Sequence, residues 1–231
     1  MKKAFTLAET LVTLGIIGIV AAMTIPNMVA NYKANILHTQ LVKAYSILQQ
    51  ALQKMQNDTG MIINSKNFGG NLANSSSGTF MKNFREYFIN LRACKNRDCL
   101  NNTFIDEEGN LQAGTQKYKT YNNASQYISA TFFDDGQSIL TDGMLILIEN
   151  YTSEILITID INGLYQKPNR WGHDLFTFQV DEKTGKLLPM GAPNTRYDQT
   201  YCSTTSNNTY NGIACTYKAL TDKDYFKNLP K

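Results

Sequence analysis

The residues able to do chemistry in this chain are few and widely spaced. Glu9 is the sole charged side chain between Lys3 and Lys33. The cysteines fall as two local pairs, Cys94 with Cys99 and Cys202 with Cys215. Neither pair has the two-residue gap usual in a zinc site, and His38 and His173 are not spaced with them. No Gly-x-Ser-x-Gly elbow, phosphate loop or His-Glu-x-x-His occurs. Asp134 and Asp135 are adjacent, so along a strand they would face opposite ways; they suit a turn better than an acid and base pair. Nothing here marks an enzyme. What remains is one acid in an apolar stretch and four thiols, and the meaning of each depends on the element that carries it.

The stretch around Glu9 reads as a membrane-crossing helix. From Thr10 to Tyr32 there is no Asp, Glu, Lys or Arg, a run longer than the roughly 20 apolar residues that span a bilayer. Its Leu, Ile and Val side chains each favour insertion by about 0.3 to 0.6 kcal/mol, which together outweigh one acid near the helix end. Lys2 and Lys3 precede the span and keep that end in the cytoplasm, which places the rest of the chain outside. A secretory signal peptide cut after Ala22 is an alternative, but Thr6, Glu9 and Thr10 interrupt its apolar region and the helical pattern continues to Met55. A plain signal anchor is another, with no use for Glu9. A carboxylate in hydrocarbon needs a partner, so Glu9 is a functional candidate; the competing reading is an acid favoured by the helix dipole in the first turn. Gly18 and Ala22 give a small-xxx-small spacing, and Pro26 predicts a bend.

The order Lys2-Lys3-Ala4-Phe5-Thr6-Leu7-Ala8-Glu9-Thr10-Leu11, followed by an apolar helix, resembles the precursors of type IV pilins and type II secretion pseudopilins. The family usually has Gly before the cut, where this chain has Ala4. The resemblance implies a leader, residues 1–4, removed by a prepilin peptidase between Ala4 and Phe5, with methylation of the new amino terminus at Phe5. It implies that residues 5–30 form a transmembrane and filament-core helix and residues 31–231 an extracytoplasmic domain. Glu9 would pair with the Phe5 amino terminus of the neighbouring subunit and set axial register, and packing near Pro26 would loosen the helix. The implied role is a structural subunit of a type II secretion pseudopilus in the bacterial inner membrane. Its partners would be other pilin-like subunits, the inner-membrane platform protein and membrane lipid. A type IV pilus subunit for adhesion, motility or DNA uptake is the alternative, and a membrane-anchored binding module using loops 64–79 and 95–125 is a second.

Asp160-Ile161-Asn162-Gly163, then Pro168 to Asp174 and the strand Leu175-Phe176-Thr177-Phe178, resembles the loop region of pseudopilin domains. There a loop can bind calcium, which implies Asp160, Asn162 and Asp174 as oxygen ligands. EF-hand spacing is absent, and the other reading is that these residues make turn hydrogen bonds. No other cofactor is expected.

The positioning elements follow from periodicity. Leu41, Tyr45, Leu48, Leu52 and Met55 recur at fours and threes, predicting an amphipathic helix that ends at Asp58-Thr59-Gly60. Residues 64–79 read as a loop. Phe80, Phe84, Tyr87, Phe88 and Leu91 predict a short helix whose aromatic stripe belongs to the core, and 95–125 reads as a surface excursion. Gln126–Phe133, Gly143–Glu149, Glu154–Asp160 and Leu175–Val180 predict strands of an antiparallel meander. The fold class is therefore α+β, a long N-terminal helix packed on an antiparallel sheet, which the resemblance also implies. With an anchor of about 30 residues, the remainder of the 231 residues suits one domain. The net charge of +3 and the scattered basic residues leave no nucleic-acid partner to expect. Four cysteines in an exported domain allow three connectivities. The local pairing is expected, and closing the longer loop would contribute about 3 kcal/mol.

Overall fold

A computed structural model gives the fold and describes residues 6–69, 79–94, 99–100, 103–105, 111–113, 117–123, 125–128, 132–133, 135–151 and 153–230. The chain divides into two compact units, Met1–Ile36 and Leu37–Lys231. Helix α1, Leu7–Thr59, runs through both. Pro26 lies inside it and does not interrupt it. In the first unit the large apolar side chains from Leu7 to Val29 are exposed to between 44% and 79%. This helix is long and apolar enough to span a membrane.

The second unit begins on the amphipathic half of α1. Leu41, Leu48, Leu52 and Met55 are wholly buried, with Ala44 and Ala51 between them. The helix stops as expected: Gly60 takes φ 65 and its amide donates to Gln56 O at 3.0 Å, the left-handed closure that glycine allows without steric cost. Helix α2, Ser65–Phe68, then occupies the start of the expected loop 64–79. Asn64 caps it by accepting from Asn67 N at 2.9 Å, and Glu182 accepts from Ser65 Oγ at 2.8 Å. Residues 70–78 of that loop lie outside the described residues. Helix α3, Thr79–Arg85, is shorter than the periodicity predicts. The Arg85 guanidinium turns to Ser138 Oγ at 2.9 Å, and three short-range turn bonds over residues 83–88 replace the helix. The Phe80 and Phe84 rings still stack at 5.0 Å, and Phe84 meets Phe88 edge-on at 4.9 Å.

The sheet has six antiparallel strands. They are β1 (Arg92–Ala93), then β4 (Gly136–Ile139), β5 (Leu145–Asn150), β6 (Ile155–Asp160), β7 (Leu175–Val180) and β8 (Leu187–Pro189), while β2 (Thr103–Ile105) and β3 (Leu111–Ala113) form a separate hairpin. That hairpin falls in the stretch 95–125, whose polar sequence reads as an excursion. Of the expected strand 126–133, the described residues hold only an isolated bridge from Tyr127 to Lys119. A strand would send adjacent side chains to opposite faces, whereas Phe132 and Phe133 both pack edge-on against Trp171, at 5.3 and 5.8 Å.

Register decides the layers. Ile146, Ile148, Ile157, Ile159, Phe176 and Phe178 align across β5, β6 and β7 on one face, where Tyr45 of α1 stacks on Phe178 at 5.6 Å. Leu145, Leu147, Leu156 and Leu175 occupy the other face, in a cluster with Trp171, Met190, Ile213 and Ala214. Both faces are thus covered, which is why these strands read as nearly continuous apolar runs. Helix α4, Cys215–Thr221, meets β7, where Thr177 N donates to Thr216 Oγ1 at 3.0 Å.

Candidate functional site

Glu9 closes the first turn of α1. Its Oε2 accepts from the Thr6 backbone amide and the Thr6 hydroxyl, both at 2.8 Å, and its own amide donates to Thr6 Oγ1 at 3.2 Å. This reciprocal arrangement is a capping box, in which the cap and the third helical residue satisfy each other's free amides. Thr-x-x-Glu before an apolar run is its sequence signal, and a reading of Glu9 without Thr6 misses it. Among the described residues both side-chain bonds go to one carboxylate oxygen, so Oε1 keeps its lone pairs. Ala4 and Phe5, the residues of the expected cleavage, lie outside the described residues. Among the described residues there is open space where side chains would stand at Gly15 and Gly18, and Ala22 is exposed.

Asp160, Asn162 and Asp174 do come together, at the connection between β6 and β7. Both carboxylates are wholly buried. Asp160 Oδ1 accepts from Gly163 N at 2.8 Å and Asn162 N at 3.2 Å, and Oδ2 accepts from the Tyr118 hydroxyl at 2.6 Å. Asp174 accepts from Arg170 N and Asn169 N, both at 2.7 Å. Burial, then the charge of Asp174, pushes Asp160 up to about 7; burial pushes Asp174 up to about 6. Calcium takes six to eight oxygens. Here every carboxylate oxygen already holds a turn or a tyrosine in place, and among the described residues no three His, Cys, Asp or Glu side chains gather in a metal-holding group. These bonds match the turn-anchoring reading, while Asn162 Oδ1 is buried without a hydrogen-bond partner among the described residues.

Neighbouring groups complete that anchor. Arg170 is buried, with its Nε on Thr120 O at 3.1 Å and a terminal nitrogen on Tyr121 O at 2.6 Å. His173 Nε2 donates to Tyr121 O at 2.9 Å, and burial lowers its pKa to about 4, so the ring is neutral. Trp171 Nε1 donates to Thr177 Oγ1 at 3.1 Å. Tyr118 escapes a sequence reading because its partner is 42 residues away and nothing local marks the pairing. Asp135 accepts from Asn150 N at 2.7 Å, a structural duty; Asp134 lies outside the described residues.

Cys94 is bonded to Cys99 and Cys202 to Cys215. The first bridge ties the edge strand β1 to the following loop. The second fastens the start of α4, where Cys215 is wholly buried, to the short 3-10 turn Gln199–Tyr201. No family model matches this chain, and no curated protein or solved structure matches it.

Proposed function

We propose that this chain is a subunit of a pilin-like filament, most closely a type II secretion pseudopilin. One observation carries the reading: residues 7–29 present a predominantly apolar helical surface whose only charge is Glu9, and among the described residues one oxygen of that carboxylate is unused. Such a surface is covered by lipid before assembly and by the helices of other copies after it. The spare oxygen of Glu9 is available to the Phe5 amino terminus of a neighbour, formed by cleavage after Ala4. The leader is cytoplasmic and the domain lies outside, so extension by the platform protein and its ATPase does mechanical work while the subunit itself catalyses nothing. The turn-anchored domain, its two disulfides and its helix-on-sheet core suit the coat of such a polymer.

Two variants separate pairing from capping. Glu9→Gln keeps a capping-box partner for Thr6 and removes the charge; Thr6→Ala removes the cap and keeps the charge. Under this proposal Glu9→Gln abolishes filaments in the native host, whereas Thr6→Ala leaves filament yield largely intact. Membrane insertion is retained in both. Normal filaments from Glu9→Gln, read by shearing and electron microscopy, would remove the pairing role.

A further inference from the structure

The domain carries a cleft of about 420 Å³, walled by the turn between β4 and β5, the β6–β7 connection and the outer end of β1. That volume lies in the range of small-ligand sites, roughly 300 to 1,000 Å³. Its walls are held before any ligand arrives. A side chain at Gly163 would stand 2.5 Å from Gly143 O, so the two backbone turns are in contact. Gln166 N donates to Gly163 O, and Asn169 Nδ2 to Leu164 O, each at 2.9 Å. On this loop Tyr165 is 93% exposed, an aromatic ring in water at a cleft whose lining includes the apolar Ile139 and Leu164.

The polar groups narrow the ligand. Asp142 is already neutralised by Lys43 at 2.8 Å, so it accepts hydroxyls more readily than it takes a second cation. Arg92 is exposed and, among the described residues, its guanidinium touches only Cys99 Sγ at 3.6 Å. Sulfur is a weak acceptor, so among the described residues the fork remains open to a carboxylate, the planar anion it matches in two parallel bonds. Gln166 supplies both a donor and an acceptor. A ligand with one carboxylate, several hydroxyls and an apolar ring face satisfies all of these.

We propose that this cleft binds a uronic acid unit of an acidic polysaccharide. The sugar ring lies on Tyr165, its carboxylate on Arg92, and its hydroxyls on Asp142 and Gln166. The site belongs to the domain and does not depend on the filament reading.

The test is titration of the full chain in detergent micelles with methyl glucuronide and, as the neutral comparator, methyl glucoside, followed by ligand-observed NMR. Melting of each variant, followed by Trp171 fluorescence, verifies its fold. The glucuronide saturates; the glucoside binds roughly tenfold more weakly, as expected for loss of a charged hydrogen-bond pair. Arg92→Gln erases that preference, and Tyr165→Ala weakens both sugars. Lys54→Gln, a cation on the exposed side of α1, changes nothing. Failure of the glucuronide to saturate overturns the proposal. So does equal weakening by Lys54→Gln and Arg92→Gln, or indifference to both Arg92→Gln and Tyr165→Ala.

Discussion

The buried pair Asp160 and Asp174 gives the domain an unusual pH dependence, and its sign follows from the fold. Unfolded aspartates titrate near 3.9, whereas burial, joined at Asp160 by the charge of Asp174, raises Asp160 to about 7, and burial raises Asp174 to about 6, in the folded domain. Between those values the folded state holds protons that the unfolded state has lost, so stability falls as pH rises. Each bound proton by which the two states differ changes stability by about 1.36 kcal/mol per pH unit. From pH 5 to 7.5, Asp160 thus contributes a loss on the order of 2 to 3 kcal/mol and Asp174 on the order of 1 kcal/mol. His173 acts in the opposite sense. Its folded value of about 4 lies below the unfolded 6.5, so over the same range it returns about 2 kcal/mol. The net expectation is a domain weaker at pH 7.5 than at pH 5 by about 2 kcal/mol. Urea unfolding in nonionic detergent reads this directly, because Trp171 is the single tryptophan and is wholly buried. Asp160→Asn keeps an acceptor for the Gly163 and Asn162 amides and removes the titrating group. It lowers stability at pH 5 but is neutral or stabilising at pH 7.5, which reverses the slope because the His173 contribution then prevails. A larger loss from Asp160→Asn at pH 7.5 than at pH 5 would refute the reasoning. It would show that the two amides and the Tyr118 hydroxyl stabilise the charge by more than burial opposes it.

Two further outcomes test the second covering layer. Replacing Cys202 and Cys215 by serine lowers stability by about 3 kcal/mol through loss of loop constraint, measured by the same unfolding, with a non-reducing peptide map of the parent confirming the bridge. Gly172→Ala is expected to cost more than about 2 kcal/mol: Gly172 has φ 74, and a Cβ would lie 2.7 Å from Tyr121 Cδ2 and 2.9 Å from Cys215 Cβ. A melting temperature unchanged in Gly172→Ala would contradict that packing.

What can be read from sequence is whatever one element states about itself. The helix of Leu41 to Met55 and its stop at Gly60 are local facts, carried by spacing and by one residue that tolerates positive φ. Strands β5, β6 and β7 are legible because each is a short apolar run between turn residues. Strand β4 is not, since Gly136-Gln137-Ser138-Ile139 has little apolar content and is held by pairing with β5 and by Arg85. Strand β8 ends in proline and helix α4 is only seven residues long, so neither carries a full period. At the candidate site, Asp160, Asn162 and Asp174 stand out together in the sequence and do meet. Their hydrogen bonds, however, come from the Tyr118 hydroxyl and from the backbone amides of Asn162, Gly163, Asn169 and Arg170. That outcome is a property of the folded loop and has no spacing to announce it.

The division of labour along α1 follows from where burial is completed. Within Leu37–Lys231 one face of the sheet is closed by Tyr45 and its neighbours and the other by the Trp171 cluster, so the core makes no demand on residues 7–29. An apolar surface that its own domain does not need is unfavourable in water by roughly 25 cal/mol for each Å² exposed, and only a lipid or protein environment relieves that. In such an environment a lone carboxylate becomes the costly group in turn. The capping box satisfies one oxygen of Glu9 from within the chain and leaves the other to be satisfied from outside it. If the chain assembles as proposed, water near the helix end would suffice for a single subunit, and inside a bundle of identical helices a neighbour's amino terminus would be the group of matching charge. Under the proposed filament role, the same residue starts the helix in the monomer and sets register in the polymer, and the two duties use different oxygens.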